Sequence, residues 1–448
     1  MMQRKLSLVL LALFWLFWKS LPLSFVPSYC SNEDLVNERE VPNLTLDEAS
    51  KVSHLKQLIV LVRHGARTPY AKLTCWRGYD TKWNDCGVTE LIVPSNSSTA
   101  PLEPPLSKWL FRKLFDGSPN WLGGNCQTGQ LIEEGYSQEL QLGSILKNKY
   151  IGFDDASRGD FKLFATDDYV QAVDPNRVYF RSDNMERTLL SAQTLLSGMF
   201  PSSSSSLSSQ KEVIIDWHTG DYSLDQIYPN SKVCPALNAI SDRAMATDSF
   251  VEWMASSKHL EETLDFVLGG AEEWNWSSML DCLMTTVCSG RGNLPTGIDD
   301  NIFNQSVHHV EESYARVSLF NNSYWAKVAM QNLTSSIRKE IVKSIENEET
   351  ALKFMLYGAH DTTLMPFLAA LLGKNWDRKW VCYIILYCGF YLSFLHYIYM
   401  PMKLCSLLCF SIYISIFLSF FLSFFIYLFV CFMDCSGPIC FHDKHRDL

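Results

Sequence analysis

The chain has 448 residues, enough for one to three domains, with 19% charged residues, 13% aromatics and a mean hydropathy of −0.01. That composition excludes a disordered chain, a collagen and a coiled coil. A formal net charge of −10 argues against nucleic acid as a partner, because phosphate contacts need clustered Lys and Arg.

Residues 1–28 read as a signal peptide or a signal anchor. Arg4 and Lys5 precede a 13-residue apolar run, Leu6–Trp18, which has the length of a signal h-region and falls short of the ~20 residues of a spanning helix. The following LPLSFVPSYCS has no good small-x-small cleavage site, so cleavage and anchoring both stay open. Entry into the secretory pathway, or a membrane location, is expected either way. Six N-x-S/T sequons, at Asn43, Asn96, Asn275, Asn304, Asn321 and Asn332, agree with a glycoprotein. The first 28 residues carry +3 and residues 381–448 sum to zero, which leaves −13 for residues 29–380. Three chemically different segments are joined here.

Within the middle segment, Leu58–Val62 (LIVLV) is a short apolar run that predicts a buried strand ending at Arg63-His64-Gly65. Seven cysteines precede residue 381, an odd number, and a local disulfide between Cys75 and Cys86 is expected. Residues 92–107 read as a Pro- and Ser-rich loop, and Glu133–Tyr150 as a helix despite Gly135 and Gly143. Val178–Phe180 is a second strand, followed by a helix over Asn184–Leu196. A Ser-rich loop at 200–210 leads to a third candidate strand, Glu212–Trp217. Residues 221–345 are helical by pattern and suit a cap over one end of the sheet; His308-His309 within them read as a solvated helix edge, with no zinc spacing around them. Phe354–Tyr357 is a fourth strand, with a helix at Thr362–Leu372. Strands alternating with helices indicate an α/β sheet covered on both faces.

Ligands of such sheets sit outside the carboxyl ends of the strands. Three candidate strands end there in Arg63-His64-Gly65-Ala66-Arg67, in Arg181-Ser182 and in His360-Asp361. If these converge, three guanidiniums, two imidazoles and one carboxylic acid share a pocket, too cationic for a sugar and suited to a dianionic phosphate. A neutral His64 could attack phosphorus, Gly65 would let the backbone approach the phosphate, and the arginines would neutralise the equatorial oxygens. His360 could donate to the same oxygens. Asp361, the only acid adjoining the set, is the natural proton donor to the leaving alkoxide, which implies an acidic optimum.

These residues resemble the histidine acid phosphatases, branch 2 of the histidine phosphatase superfamily. The signature R-H-G-x-R-x-P stands as Arg63–Pro69, V-Y-x-R-S-x-x-x-x-R-T as VYFRSDNMERT, and H-D-T-T-L as His360–Leu364. GQLIEEGYSQELQLG, Gly129–Gly143, is similar to a fourth family segment. The resemblance covers roughly residues 55–380 and implies a phosphoglycerate-mutase-like α/β fold, with helices on both faces and a helical cap at approximately 221–345 inserted into a domain spanning 29–380. It implies hydrolysis of a small-molecule phosphate monoester through phosphohistidine, with no metal and no organic cofactor. His64 is then the nucleophile, Asp361 the proton donor, and Arg63, Arg67, Arg181 and His360 the phosphate ligands. Arg187 is given a structural role, paired with Asp183 or Glu186 on its helix. HDTTLMPFLAALLG followed by WDRKW looks most similar to the lysophosphatidic acid phosphatase-like members, which points to a lysophospholipid substrate.

The resemblance stops at Trp380, before the strands that complete the sheet in the family, so the fold is expected to be incomplete at its C-terminal end. Residues 381–433 form a hydrophobic tail and 434–448 a polar one; Leu404–Met433 lacks any formal charge and is long enough to span a bilayer, with Val381–Met402 as a second span. The low-complexity LSFFLSFF and the abrupt break in composition fit translated non-coding sequence as well as a membrane anchor. The alternative to an active enzyme is a catalytically inactive or truncated, membrane-anchored binder of phosphate esters.

Overall fold

The computed structural model describes residues 41–376, apart from 42, 71–74, 85, 87, 91–109, 113–121, 202–213 and 270–274 and with only the backbone of 88–90 and 110–112, together with the backbone of 383–391 and 396–399. The N-terminal apolar segment, Asn96, Cys30, most of the Ser-rich loop, the Leu404–Met433 run and the polar tail all lie outside the described residues. Among the described residues no helix is long and apolar enough to cross a membrane.

The main sheet is built around β1, Val52–Arg63. β2 (Val88–Glu90) and β3 (Leu110–Arg112) form a separate two-stranded ribbon. The strands β4 (Val178–Ser182), β5 (Phe354–Ala359), β6 (Tyr383–Tyr391) and β7 (His396–Tyr399) complete the main sheet in the order β4-β5-β1-β6-β7. β4, β5 and β1 run parallel, in a register that sets Arg181 against Tyr357 and Arg63 against Ala359. Their carboxyl ends are therefore level, and the polar residues that follow them emerge side by side.

The LIVLV run is apolar throughout because both faces of β1 are buried. Leu58, Val60 and Val62 pack with Phe180, Phe354 and Leu356 beneath α1 (Glu133–Tyr150) and α2 (Glu186–Met199). Ile59 and Leu61 pack with Met355 and Tyr357 on the other face. The cap supplies α3 (Ala236–Met245), α4 (Asp248–Ser256), α5 (Lys258–Leu268), α6 (Trp276–Cys288), α7 (Asp300–Ser318), α8 (Phe320–Ala329) and α9 (Gln331–Glu346). α9 and α10 (Asp361–Leu372) cover the second face of the sheet. One of the glycines that weaken α1 on propensity lies where it crosses α2: a Cβ on Gly143 would stand 2.2 Å from the Leu195 carbonyl oxygen.

Four expectations change. Glu212–Trp217 gives no strand over its described part, 214–217; only His218 bridges Arg181 at the sheet edge, and Ile214 is left exposed. Within Val381–Met402, expected as a second span, the described residues form strands: the edge of β1 needs backbone partners, and β6 pairs with it antiparallel from Val52↔Tyr391 to Val62↔Tyr383, with β7 beyond. The edge expected to stay open is thus paired. Cys75 bonds to Cys282 and Cys86 to Cys126, so neither forms the local bridge; Cα separations of 5.3 and 5.0 Å suit those partners. Cys234 and Cys288 are also disulfide-bonded. His309 is not at a solvated edge. It is 4% exposed and lies between the rings of Trp253 and Trp276, at 4.4 and 3.8 Å, because it shares the inward face of α7 with Phe303 and Val310.

Candidate active site

His64 follows β1 directly, and its backbone N–H donates to the Ala359 carbonyl at the end of β5. The imidazole is 3% exposed, and Nδ1 lies 2.9 Å from the Gly65 carbonyl oxygen. A carbonyl can only accept, so Nδ1 carries the hydrogen and the lone pair is on Nε2. Burial first, then the charges of Arg63, Arg67, His360 and Arg187, hold this ring well below its ordinary pKa of 6.5. It is a neutral base surrounded by cations.

The loop around it is set by close packing. A Cβ on Gly65 would meet the Gly135 carbonyl oxygen at 2.3 Å, and one on Gly135 would meet the Ala66 carbonyl oxygen at 2.2 Å. The absent Cβ of Gly65 therefore makes room for the start of α1. Ser191 Oγ accepts from the Gly65 N–H at 3.0 Å and Gln138 Oε1 from the Ala66 N–H at 2.9 Å. The Gly129–Gly143 segment is thus the buttress of the loop, with Thr68 Oγ1 donating to the Gln127 carbonyl at 2.6 Å beside it.

His360 caps α10 and Asp361 is its first residue. The two imidazoles, of His64 and His360, stand edge to face with centroids 5.3 Å apart. Arg63 Nε donates to Asp361 Oδ2 at 3.1 Å, and the Thr362 N–H donates to Oδ1 at 2.8 Å. Burial pushes the Asp361 carboxyl up, but Arg63, Arg67, His360 and the Thr362 N–H outweigh it and leave it below its ordinary value. Arg63, His64, Arg67, His360 and Asp361 are therefore together.

Arg181 is not with them in the expected way. On β4 it shares a face with Tyr179, and its Nη2 donates at 2.6 Å to Asp225 Oδ1, a side chain with no exposure. It lines a cavity of about 190 Å³ with Gln226, Asn332, Ser336 and Tyr357, and it is not among the charges that act on His64. The expected convergence of Arg181 on the nucleophile fails because the buried Asp225 carboxylate claims the guanidinium. Arg187 takes that place. It forms no ion pair with Asp183 or Glu186; it sits 5.6 Å over the Tyr70 ring, donates to the Gly129 carbonyl at 3.4 Å, and adds to the field on His64. Burial, then the neighbouring Arg67, bring its own pKa down to about 10. The spacing of VYFRSDNMERT held the signal: Arg187 lies in the first turn of α2, which starts after the carboxyl end of β4.

Asp361 is also not the only acid at the site. Asp183, fully buried, lies 2.6 Å from His360 Nε2 and accepts from Thr188 Oγ1. Burial would raise its carboxyl, yet His360, Thr188 and Arg187 bring it below its ordinary value, so it is a carboxylate and Nε2 of His360 is the donor. Asp281 on α6 accepts from Arg67 Nη2 at 2.8 Å. These roles of Asp183, Asp225 and Asp281 were missed because Asp225 and Asp281 meet their arginines from far along the chain and Asp183 lies inside a stronger motif.

The sequence model of the histidine phosphatase superfamily, branch 2, matches residues 54–381. Counting factor 60 of Dictyostelium discoideum is 27% identical over 359 residues, covering 79% of this chain and 79% of that protein. Lysophosphatidic acid phosphatase type 6 of Homo sapiens is 24% identical over 380 residues, 79% and 78% of the two chains. Prostatic acid phosphatase of Rattus norvegicus is 27% identical over 255 residues, 54% of this chain and 61% of that one.

Proposed function

Because the chain belongs to branch 2 of the histidine phosphatase superfamily, we propose that it hydrolyses small organic phosphate monoesters through a phosphohistidine on His64. The observation that carries this reading is the Nδ1–H donated to the Gly65 carbonyl: it leaves the Nε2 lone pair of a neutral imidazole facing a ring of guanidiniums. In the first step Nε2 bonds to phosphorus as the ester P–O bond breaks, and the leaving alkoxide takes a proton from Asp361. In the second, water attacks phosphorus, its proton returns to Asp361, and the P–N bond breaks to release inorganic phosphate. Arg63, Arg67 and Arg187 stabilise the equatorial oxygens, and Asp183 holds the His360 ring in place beside the same group.

Asp361 is held below its ordinary value because Arg63 and Arg67 favour its charged form against the cost of burial. An arriving phosphate dianion takes up those arginines and adds a negative charge, which raises the carboxyl and lets it load the proton it must give. This supports an acidic optimum. Lysophosphatidic acid is the first natural substrate to try: one relative carries that name, and the HDTTL region is similar to that subfamily. The disulfides Cys75–Cys282 and Cys86–Cys126 support a location in the secretory pathway.

The test uses the full chain in detergent with a generic aryl phosphate at pH 5, followed by quenching in alkali to preserve a phosphoramidate. Phosphate release and labelled His64 are expected. Release by His64→Ala at the parental rate would remove the nucleophile assignment, and phosphate binding without turnover or label would favour the inactive binder.

A further inference from the structure

We propose that Asp281 is a positioning residue for Arg67, through which the helical cap sets the phosphate-binding geometry of the catalytic loop; the inference rests on the reading of that loop as a phosphate site. Arg63 and Arg181 are each held by an acid from the end of the sheet or its adjoining loop, Asp361 and Asp225. Arg67 is held by an acid from the cap. Its Nη2 donates to Asp281 Oδ1 at 2.8 Å, while its only other protein acceptor among the described residues is the carbonyl of Thr68, from Nη1 at 3.0 Å. A single carbonyl of a neighbouring residue does not fix the plane of a guanidinium; a carboxylate does.

The same carboxylate holds the backbone. Asp281 Oδ2 accepts from the Tyr70 N–H at 2.6 Å, so one side chain restrains both the Arg67 head group and the chain three residues later. Both partners of the ion pair are largely buried, at 14% and 15% exposure, so the pair is not a screened surface contact. The adjacent residue, Cys282, is bonded to Cys75. One turn on, Thr286 Oγ1 lies 3.1 Å from the Tyr79 hydroxyl, which accepts from Trp83 Nε1 at 2.9 Å. Residues 281, 282 and 286 of α6 thus contact the chain at 67–79, and the covalent contact sits beside the ionic one. That arrangement makes α6 the rigid support from which Arg67 is aimed, and the charge of Arg67 is close enough to act on His64.

Two roles are separable by experiment. If Asp281 acts through Arg67, its removal weakens phosphate binding only while Arg67 is present. If it is merely structural, its effect is independent of Arg67. The full chain in detergent is titrated with inorganic phosphate by calorimetry, as the parent, Asp281→Asn, Arg67→Ala and the double variant, with melting curves for each. Asp281→Asn is expected to weaken phosphate about ten-fold in the parent and less than two-fold in the Arg67→Ala background; with an aryl phosphate, KM rises more than kcat falls. Unchanged affinity in Asp281→Asn, or a full ten-fold further loss in the double variant, overturns the proposal. Should Asp281→Asn fail to fold, the Cys75→Ala/Cys282→Ala variant releases α6 without touching the carboxylate, and phosphate affinity must then fall at least three-fold. A parent that does not bind phosphate at all overturns the functional reading, and this inference with it; a parent that binds and hydrolyses while Asp281→Asn behaves like it overturns the inference alone.

Discussion

Two buried histidines, one at the end of the sheet and one in the cap, are both held neutral, and by different means. His64 is kept neutral by burial reinforced by three guanidiniums, Arg63, Arg67 and Arg187, and by the neighbouring His360 ring. His309 is kept neutral almost wholly by burial between Trp253 and Trp276, with His308 as a minor repulsive neighbour, and its pKa falls to about 4. The first site adjusts basicity with charge, so substrate and substitution can change it. The second adjusts it with packing and is insensitive to distant charge. A depressed histidine pKa therefore does not by itself identify a nucleophile; the convergence of guanidiniums on one ring does.

Loss of function gives the widest separation between the two. His64→Ala is expected to lower kcat for an aryl phosphate by at least about 10³-fold, since the covalent step is lost. His309→Phe, which keeps an aromatic ring between the two indoles, is expected to stay within about three-fold of the parent. A steady-state assay at pH 5 on folded protein decides this. Comparable losses in both would mean that the cap histidine belongs to the chemistry.

Arg181 and Arg187 sharpen the comparison, because the sequence pattern put them in each other's place. Arg187→Gln removes a charge that lowers the His64 pKa, so that pKa rises and the acid limb of the kcat/KM profile moves to higher pH; kcat/KM at pH 5 is expected to fall about ten- to hundred-fold. Arg181→Gln leaves that limb where it is. Its cost is stability: the fully buried Asp225 loses its partner, and about 3–5 kcal/mol is expected in urea unfolding. If the acid limb follows Arg181 and not Arg187, the placement of the two guanidiniums is wrong.

What was legible in the sequence was what is local. The RHGAR and HD clusters immediately follow apolar runs, and parallel pairing of those runs brings their ends together with no further information. The helices over 133–150 and 361–372 also follow from their own residues. What was not legible depends on distant partners. Nothing near Arg181 foretells Asp225, 44 residues on, and Cys75 meets Cys282 across 207 residues. The strands within Val381–Met402 were not legible for a related reason: apolar runs suit a bilayer or a sheet edge, and the pairing of 383–391 with β1 depends on a strand more than 300 residues earlier.

The smallest expected effect concerns the cap alone. In the folded state the His309 pKa is depressed to about 4, against about 6.5 in the unfolded chain. Above pH 6.5 the ring is neutral in both states and contributes no pH dependence. As pH falls below that value the unfolded chain takes up a proton that the folded cap refuses, so stability is lost progressively down to about pH 4. His64 contributes a loss of the same sign, through a site that bound phosphate can alter. His309→Phe removes the cap contribution and leaves that of His64. The variant should therefore lose less stability than the parent between pH 7 and pH 4.5, by about 2–3 kcal/mol, in urea unfolding at the two pH values. Adding inorganic phosphate should stabilise parent and variant equally, since the ligand acts at the far end of the comparison. A parental pH dependence in His309→Phe would place the proton uptake elsewhere and leave packing without the role argued for it in the cap.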